Sequence, residues 1–272
     1  MRPFDRVIIA DWSAASKPSP RRPSADAIWL GVADRSGETT QYHRTRASAE
    51  AAIVGLLRGR VLLGCDFPMG YPAGFAERLT GVARAEAVWD WLAARITDGP
   101  DNANNRFAVA ADINRQFGGG PFWGRPAGLT LPDLPERKEV NYPALGLPER
   151  RVVERLVPRA QPVWKLYTTG AVGSQSLMGL PQIHRLSQTP GVSVWPFQPP
   201  TDLMIAEVYP SLLDRAVRAA GGIKDQTQVQ LLARALFRLS ASGGLAALLD
   251  VPPTEEGWIL GAGHSATLEA AL

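Results

Sequence analysis

Three short apolar runs in this 272-residue chain each end in a carboxylate: VIIAD at Asp11, VLLGCD at Asp66 and LMIAE at Glu207. Runs this short and this rich in Val, Ile and Leu read as buried strands of a parallel or mixed sheet. Each carboxylate falls where its strand gives way to a loop, with WSAAS after Asp11, FPMGYP after Asp66 and VYP after Glu207. A carboxylate at the end of a core strand is costly unless it is solvated, hydrogen-bonded or bound to a cation. Three at equivalent places point to one shared site at one edge of one sheet, where open α/β sheets gather their ligands.

The order of the elements narrows the fold. Strands over Arg6–Asp11, Ala27–Ala33 and Thr39–Arg44, joined by a Pro-rich loop and a tight turn, make an antiparallel three-strand meander. A helix over Ser48–Leu57 follows, with Ser48 as its cap, and then a strand over Arg60–Asp66 that returns beside the first. Three strands, a helix and a returning strand open a ribonuclease H-like α/β fold, a mixed sheet flanked by helices. Residues 84–118 are helical in pattern, and the Pro- and Gly-rich stretch from Gly118 to about Gln161 has little periodicity. Together they read as a helical and loop insertion at about 84–175 within a single domain of residues 1–272. A short strand in VWKLY, a helix from about Ser174, strands Val192–Phe197 and Leu203–Pro210, and a helix from Pro210 or Ser211 complete the sheet side. A long helix Thr227–Ser240 capped by Asp225, a helix at Leu245–Leu249, a weak strand at Gly257–Leu260 and a short final helix close the chain.

Composition excludes several classes. Hydrophobic residues are 45% and charged residues 20%, as in a globular protein, and no apolar run approaches the roughly 20 residues that span a bilayer. The chain enters a strand almost at once, without a secretory signal pattern, so a cytoplasmic setting is expected. The lone Cys65 rules out an internal disulfide or a Cys-clustered zinc site and reads as a buried, inert thiol. The net charge of +3 does not by itself argue for nucleic acid. Its basic residues are nearly all Arg, which fits either phosphate recognition or a codon bias.

Converging carboxylates repel one another, and at least one takes up a proton unless a cation intervenes. All-oxygen ligation favours Mg²⁺ or Mn²⁺ over zinc. Such ions activate a water and stabilise the leaving oxygen of a phosphodiester. A fourth acid completes the expectation: Asp225 is best placed, with Asp214 and Asp250 as alternatives. Each acid alone also reads as an ordinary turn or cap residue; Glu207, inside an otherwise apolar run, is the hardest to read that way.

The segments VIIADWSAAS, LLGCDFPMGYPAGF, GAVGSQSLMGLPQIHRL, VWPF, AEVYPS and KDQTQVQLLARALF resemble a family of bacterial and archaeal proteins described as predicted ribonuclease H-like nucleases. The resemblance covers nearly the whole chain. It implies a ribonuclease H-like fold and a metal-dependent site, with Asp11, Asp66 and Glu207 on the family's acidic positions. Where the family carries a doubled acidic pattern, KDQTQ offers Asp225 alone. The expected activity is therefore a Mg²⁺- or Mn²⁺-dependent phosphodiester hydrolase acting on nucleic acid, with Asp11, Asp66, Glu207 and Asp225 holding metal. Ser13, Lys17, Lys165 and Arg125 are the expected substrate contacts.

Two rivals share these features: an ATP-binding, kinase-like protein of the same fold, and a non-catalytic module that keeps the fold alone. The glycine turn Gly170–Gly179 leads into a helix and suits a phosphate or a plain turn; it matches no Walker motif. Phe122 and Trp123 beside Arg125 suit base stacking or packing on the core. His264 in GAGHS is placed to approach a site, whereas His184 on a helix reads as structural.

Overall fold

Runs that are apolar on every residue need cover on both faces, and the sheet supplies it. The structure is a computed structural model that describes residues 2–157, 159–252 and 254–272. In chain order its elements are β1 Arg6–Asp11, β2 Ile28–Asp34, β3 Gly37–His43, α1 Arg46–Leu56, β4 Val61–Cys65, α2 Phe75–Thr80, α3 Ala85–Ala93, α4 Arg106–Phe117, α5 Tyr142–Leu145, α6 Val152–Leu156, α7 Gly173–Ser187, β5 Val192–Trp195, β6 Leu203–Glu207, a 3₁₀ turn Pro210–Leu213, α8 Asp214–Ala220, α9 Lys224–Ser242, α10 Leu245–Leu249 and α11 Ser265–Ala270. The strands form one mixed sheet in the order β3-β2-β1-β4-β6-β5. β1, β2 and β3 pair antiparallel, and β1, β4, β6 and β5 pair parallel.

Side chains alternate between the two faces. Ile8, Ala10, Leu63, Cys65 and Ile205 face a layer built from α1, α3, α4 and α7, to which Ile53, Trp89, Val109 and Leu180 contribute. Val7, Ile9, Leu62, Met204 and Ala206 face a second layer, in which Val217, Val229, Leu232, Leu248 and Leu268 come from α8 to α11. The insertion shares the first core: Phe122, Leu134, Tyr142 and Trp164 are buried in it, and Trp164 stacks on Tyr71 at 5.3 Å. No helix among the described residues is long and apolar enough to cross a membrane.

Several local readings shift. Thr45, not Ser48, caps α1, its side chain accepting from Ser48 N. α9 begins at Lys224, so Asp225 lies inside the first turn and does not cap it. The helical stretch 84–118 is α3 and α4 separated by turns around Asn102, whose side chain accepts from Arg46 N at 2.9 Å. The strand expected in VWKLY is a single bridge between Trp123 and Lys165, and that at Gly257–Leu260 a single bridge between Ile259 and Glu207. α2 is unanticipated; six residues between two left-handed glycines, Gly74 and Gly81, carry too little periodicity to announce a helix.

α9 crosses β1 and β2 at very close range, because β2 carries a glycine under it. A Cβ on Gly31 would lie 2.3 Å from the Val229 carbonyl oxygen. Gly31→Ala must push α9 outward, at a cost of about 2–3 kcal/mol as for other overpacked cores. Urea unfolding should show that loss; full stability in the variant would mean that α9 is not seated as described.

Candidate active site

Strand register decides which carboxylates meet. Ala10 is level with Cys65, and Cys65 with Glu207. Asp11 and Asp66 therefore follow their strands by the same step, and both continue the face occupied by Val7, Ile9 and Leu62. Glu207 sits one step earlier on β6, between Ala206 and Val208, which face that layer, so its own side chain turns to the other side of the sheet.

There Glu207 is fully committed. The Arg151 guanidinium donates to both of its oxygens, Nη2 to Oε1 at 2.6 Å and Nη1 to Oε2 at 2.7 Å. Met69 N donates to Oε2 at 3.0 Å. Arg151 Nε also reaches Glu154 at 2.8 Å. Arg151 and Glu154 are each 1% exposed and Glu207 is 2%. Burial opposes charge on Arg151, but Glu207 and Glu154 outweigh it and keep the guanidinium charged. Burial pushes the Glu154 carboxyl up. The expectation that Glu207 joins an open acidic site is thus corrected: one residue of register places it in a closed ion pair.

Asp11, Asp66 and Asp225 do come together. They line one cavity of about 800 Å³ beyond the carboxyl ends of β1 and β4, with Asp26 and Lys224 beside them. Asp225 reaches it because the first turn of α9 lies over the end of β1; its Oδ2 accepts from Asp26 N at 2.6 Å. Asp26 adopts a left-handed φ of 58°, which Asp tolerates better than most residues. Burial, then Asp66, Asp225 and Asp26, hold the Asp11 carboxyl well above the usual carboxylate range, against a smaller pull from Lys224. Asp66 is pushed up to about 7, by burial first and then by Glu207 and Asp225. Burial also raises Asp225, partly offset by the bond from Asp26.

The other expected contacts divide. Ser13 lines the cavity, although its Oγ also accepts from Ala15 N at 3.3 Å, as in an ordinary turn. Lys17, Lys165 and Arg125 do not line it. Lys17 is exposed on the β1–β2 loop, where its carbonyl accepts from Asn102 Nδ2 at 3.2 Å. Lys165 Nζ donates to the Thr169 carbonyl at 2.7 Å and so braces the loop that forms a cavity wall. Arg125 is taken up by the Pro126 and Leu129 carbonyls and by Glu136 at 3.7 Å. Of the alternative acids, Asp214 is paired with Arg159 and Arg218, and Asp250 ends α10. Phe122 is buried, with its backbone clamped by Asn114, so that loop packs on the core. His264 precedes α11 and does not line the cavity; His184 lies on α7, 3.9 Å from Asp90.

Sequence reasoning missed Lys224, Asp26, Arg106 and Arg159, all of which line the cavity. Lys224 was within reach, since it adjoins Asp225 on the same helix start. Asp26, Arg106 and Arg159 sit in loops or at a distant helix start, where no periodicity marks them.

Among the described residues, no three His, Cys, Asp or Glu side chains converge closely enough to hold an ion by themselves. Mg²⁺ does not require that: it binds through one or two carboxylates and keeps waters or substrate phosphates in its remaining positions. Asp11 and Asp66, both oxygen donors with elevated proton affinity facing one cavity, fit that mode; a closed protein cage does not fit. No known protein family, curated protein or solved structure matches this chain.

The raised carboxyls have a consequence for stability. In the unfolded chain an Asp releases its proton near pH 4; in the fold Asp66 keeps it until about 7. The native state binds more protons between those values, so Asp66's contribution is full below about pH 4 and is lost as pH rises through about 7. Thermal melts across pH 4–8 should show the wild type losing stability on that rise and Asp66→Asn losing less. Equal slopes would mean that Asp66 is not held in this environment.

Proposed function

We propose that the chain is a Mg²⁺- or Mn²⁺-dependent phosphodiester hydrolase acting on nucleic acid, built on a ribonuclease H-like sheet. The observation that carries the reading is the Asp11–Asp66 pair, two strand-end carboxylates that follow neighbouring parallel strands in step and line one wide cavity, both raised by burial and Asp11 further by Asp66. Such a pair stores an affinity for a divalent cation, because a cation removes both the repulsion and the proton. The strand order supports the fold assignment, since an antiparallel β3-β2-β1 meander joined to parallel β4 and β6 is the arrangement expected of that class.

In this reading Asp11 and Asp66 hold the cation and Asp225 orients from the start of α9. A bound divalent ion supplies an activated water and charge neutralisation at the leaving oxygen. Lys224 adds positive charge at the cavity edge, where a substrate phosphate enters. Arg151 serves the reaction only by keeping Glu207 away from it. The reading thus uses three acids, not four, and leaves the remaining ligand positions to water and substrate.

Purified protein should cleave single-stranded DNA or RNA with Mn²⁺ and not with EDTA. Asp11→Asn should lower that rate by about 10–100-fold or more, since even the loss of a group that supports a metal ligand costs that much. Undiminished cleavage by Asp11→Asn would overturn the site assignment. Stabilisation by ATP–Mg²⁺ with no cleavage of any strand would favour a nucleotide-binding role.

A further inference from the structure

A second part of the same cavity is built for an anion. Arg106, the first residue of α4, is only 7% exposed. Its hydrogen-bond partners are all neutral: Ser174 Oγ at 3.0 Å from Nε, and Ser16 Oγ at 2.9 Å and Asn104 Oδ1 at 2.7 Å from Nη1. Nη2 has no acceptor among the described residues. The nearby carboxylate of Asp98 is taken by Arg46, at 2.6 Å. A buried guanidinium whose nearby carboxylate is hydrogen-bonded elsewhere is costly, and an incoming anion lowers that cost.

Independent features converge on the same wall. α7 begins there, and its cap residue Val172 offers no side-chain acceptor. Gly173 N is satisfied by the Lys165 carbonyl at 2.9 Å, but Ser174 N and Gln175 N have no acceptor among the described residues. Arg106, Ser174 and Gln175 line the cavity that holds Asp11 and Asp66, and so does Tyr167, an aromatic left 47% exposed. Two free amides at the start of a 15-residue helix, beside a planar guanidinium, match the tetrahedral oxygens of a phosphate. The exposed ring beside them suits a base face.

We propose that Arg106 and the first-turn amides of α7 form a phosphate subsite that holds a second phosphate of a single-stranded nucleic acid, with Tyr167 as the stacking surface. The substrate assignment rests on the hydrolase reading; the anion subsite does not.

The test is fluorescence anisotropy of a labelled single-stranded oligonucleotide in EDTA, where no cation contributes. Gln175→Glu places a carboxylate at the third position of α7, which helices favour, so it should fold with its melting temperature kept. It should bind at least about tenfold more weakly, the scale of losing a charge-assisted contact. Arg106→Gln should weaken binding to a similar extent, and Tyr167→Ala by about fivefold or more. Asp11→Asn should bind in EDTA at least as tightly as the wild type. Wild-type affinity in folded Gln175→Glu and Arg106→Gln would overturn the subsite, even if Mn²⁺-dependent cleavage is found. Binding with these dependences but no cleavage would keep the subsite and sink the hydrolase reading. Competition by ATP or inorganic phosphate stronger than by unlabelled strand would overturn the nucleic-acid assignment.

Discussion

The buried ion pair between Arg151 and Glu207 is the contact on which the arrangement around the sheet edge depends. Taking both charges out of water costs several kcal/mol per ion, and the pair is tolerated only because its hydrogen bonds are nearly complete. Arg151 bonds both Glu207 oxygens, Glu154 and the Glu256 carbonyl, at 3.2 Å for the last. Glu256 in turn accepts from Val152 N at 2.6 Å and Ala73 N at 2.8 Å. One guanidinium thereby ties β6, α6, the loop after β4 and the C-terminal segment into one block. That block closes one face of the sheet edge and leaves the other face open.

The open face is where the unresolved charge lies. Asp11 and Asp66 follow neighbouring parallel strands in step, so both carboxyls project toward the start of α9, which adds Asp225. Where Glu207 has a buried arginine, this trio has the opposing charge of Lys224, and burial and repulsion still push its carboxyls above the usual carboxylate range. Arg106 presents the opposite imbalance on another wall of the cavity, a buried cation hydrogen-bonded only to neutral groups while the nearby Asp98 carboxylate pairs with Arg46. A ligand that brings a cation to the first and a phosphate to the second satisfies both, which is why a metal-bound nucleic-acid strand is the ligand proposed.

Much of this architecture was legible in the chain. β1 was read at its observed limits because VIIAD is apolar throughout and bounded by turn residues, and the meander followed from the same signals. The placement of Asp11, Asp66 and Asp225 around one cavity was likewise readable from strand ends and a helix start. Glu207 was not, because a strand end fixes a level and not a face; an offset of one residue reverses the side chain, and only the register reveals it. Arg151 was invisible for a different reason. It lies in a Pro-rich stretch without periodicity, and its role depends on partners 56 and 105 residues away. Lys17, Lys165 and Arg125 were expected at the site from charge and nearness in sequence, yet local carbonyls, a glutamate or solvent take up what they offer.

The central claim is that a divalent cation belongs to the Asp11–Asp66 face and not to Glu207. Calorimetric titration of Mn²⁺ at neutral pH into the wild type, Asp11→Asn and Glu207→Gln tests it most directly. The account predicts binding by the wild type, loss of binding in Asp11→Asn, and binding preserved in folded Glu207→Gln. Binding that survives Asp11→Asn and disappears in folded Glu207→Gln would contradict it.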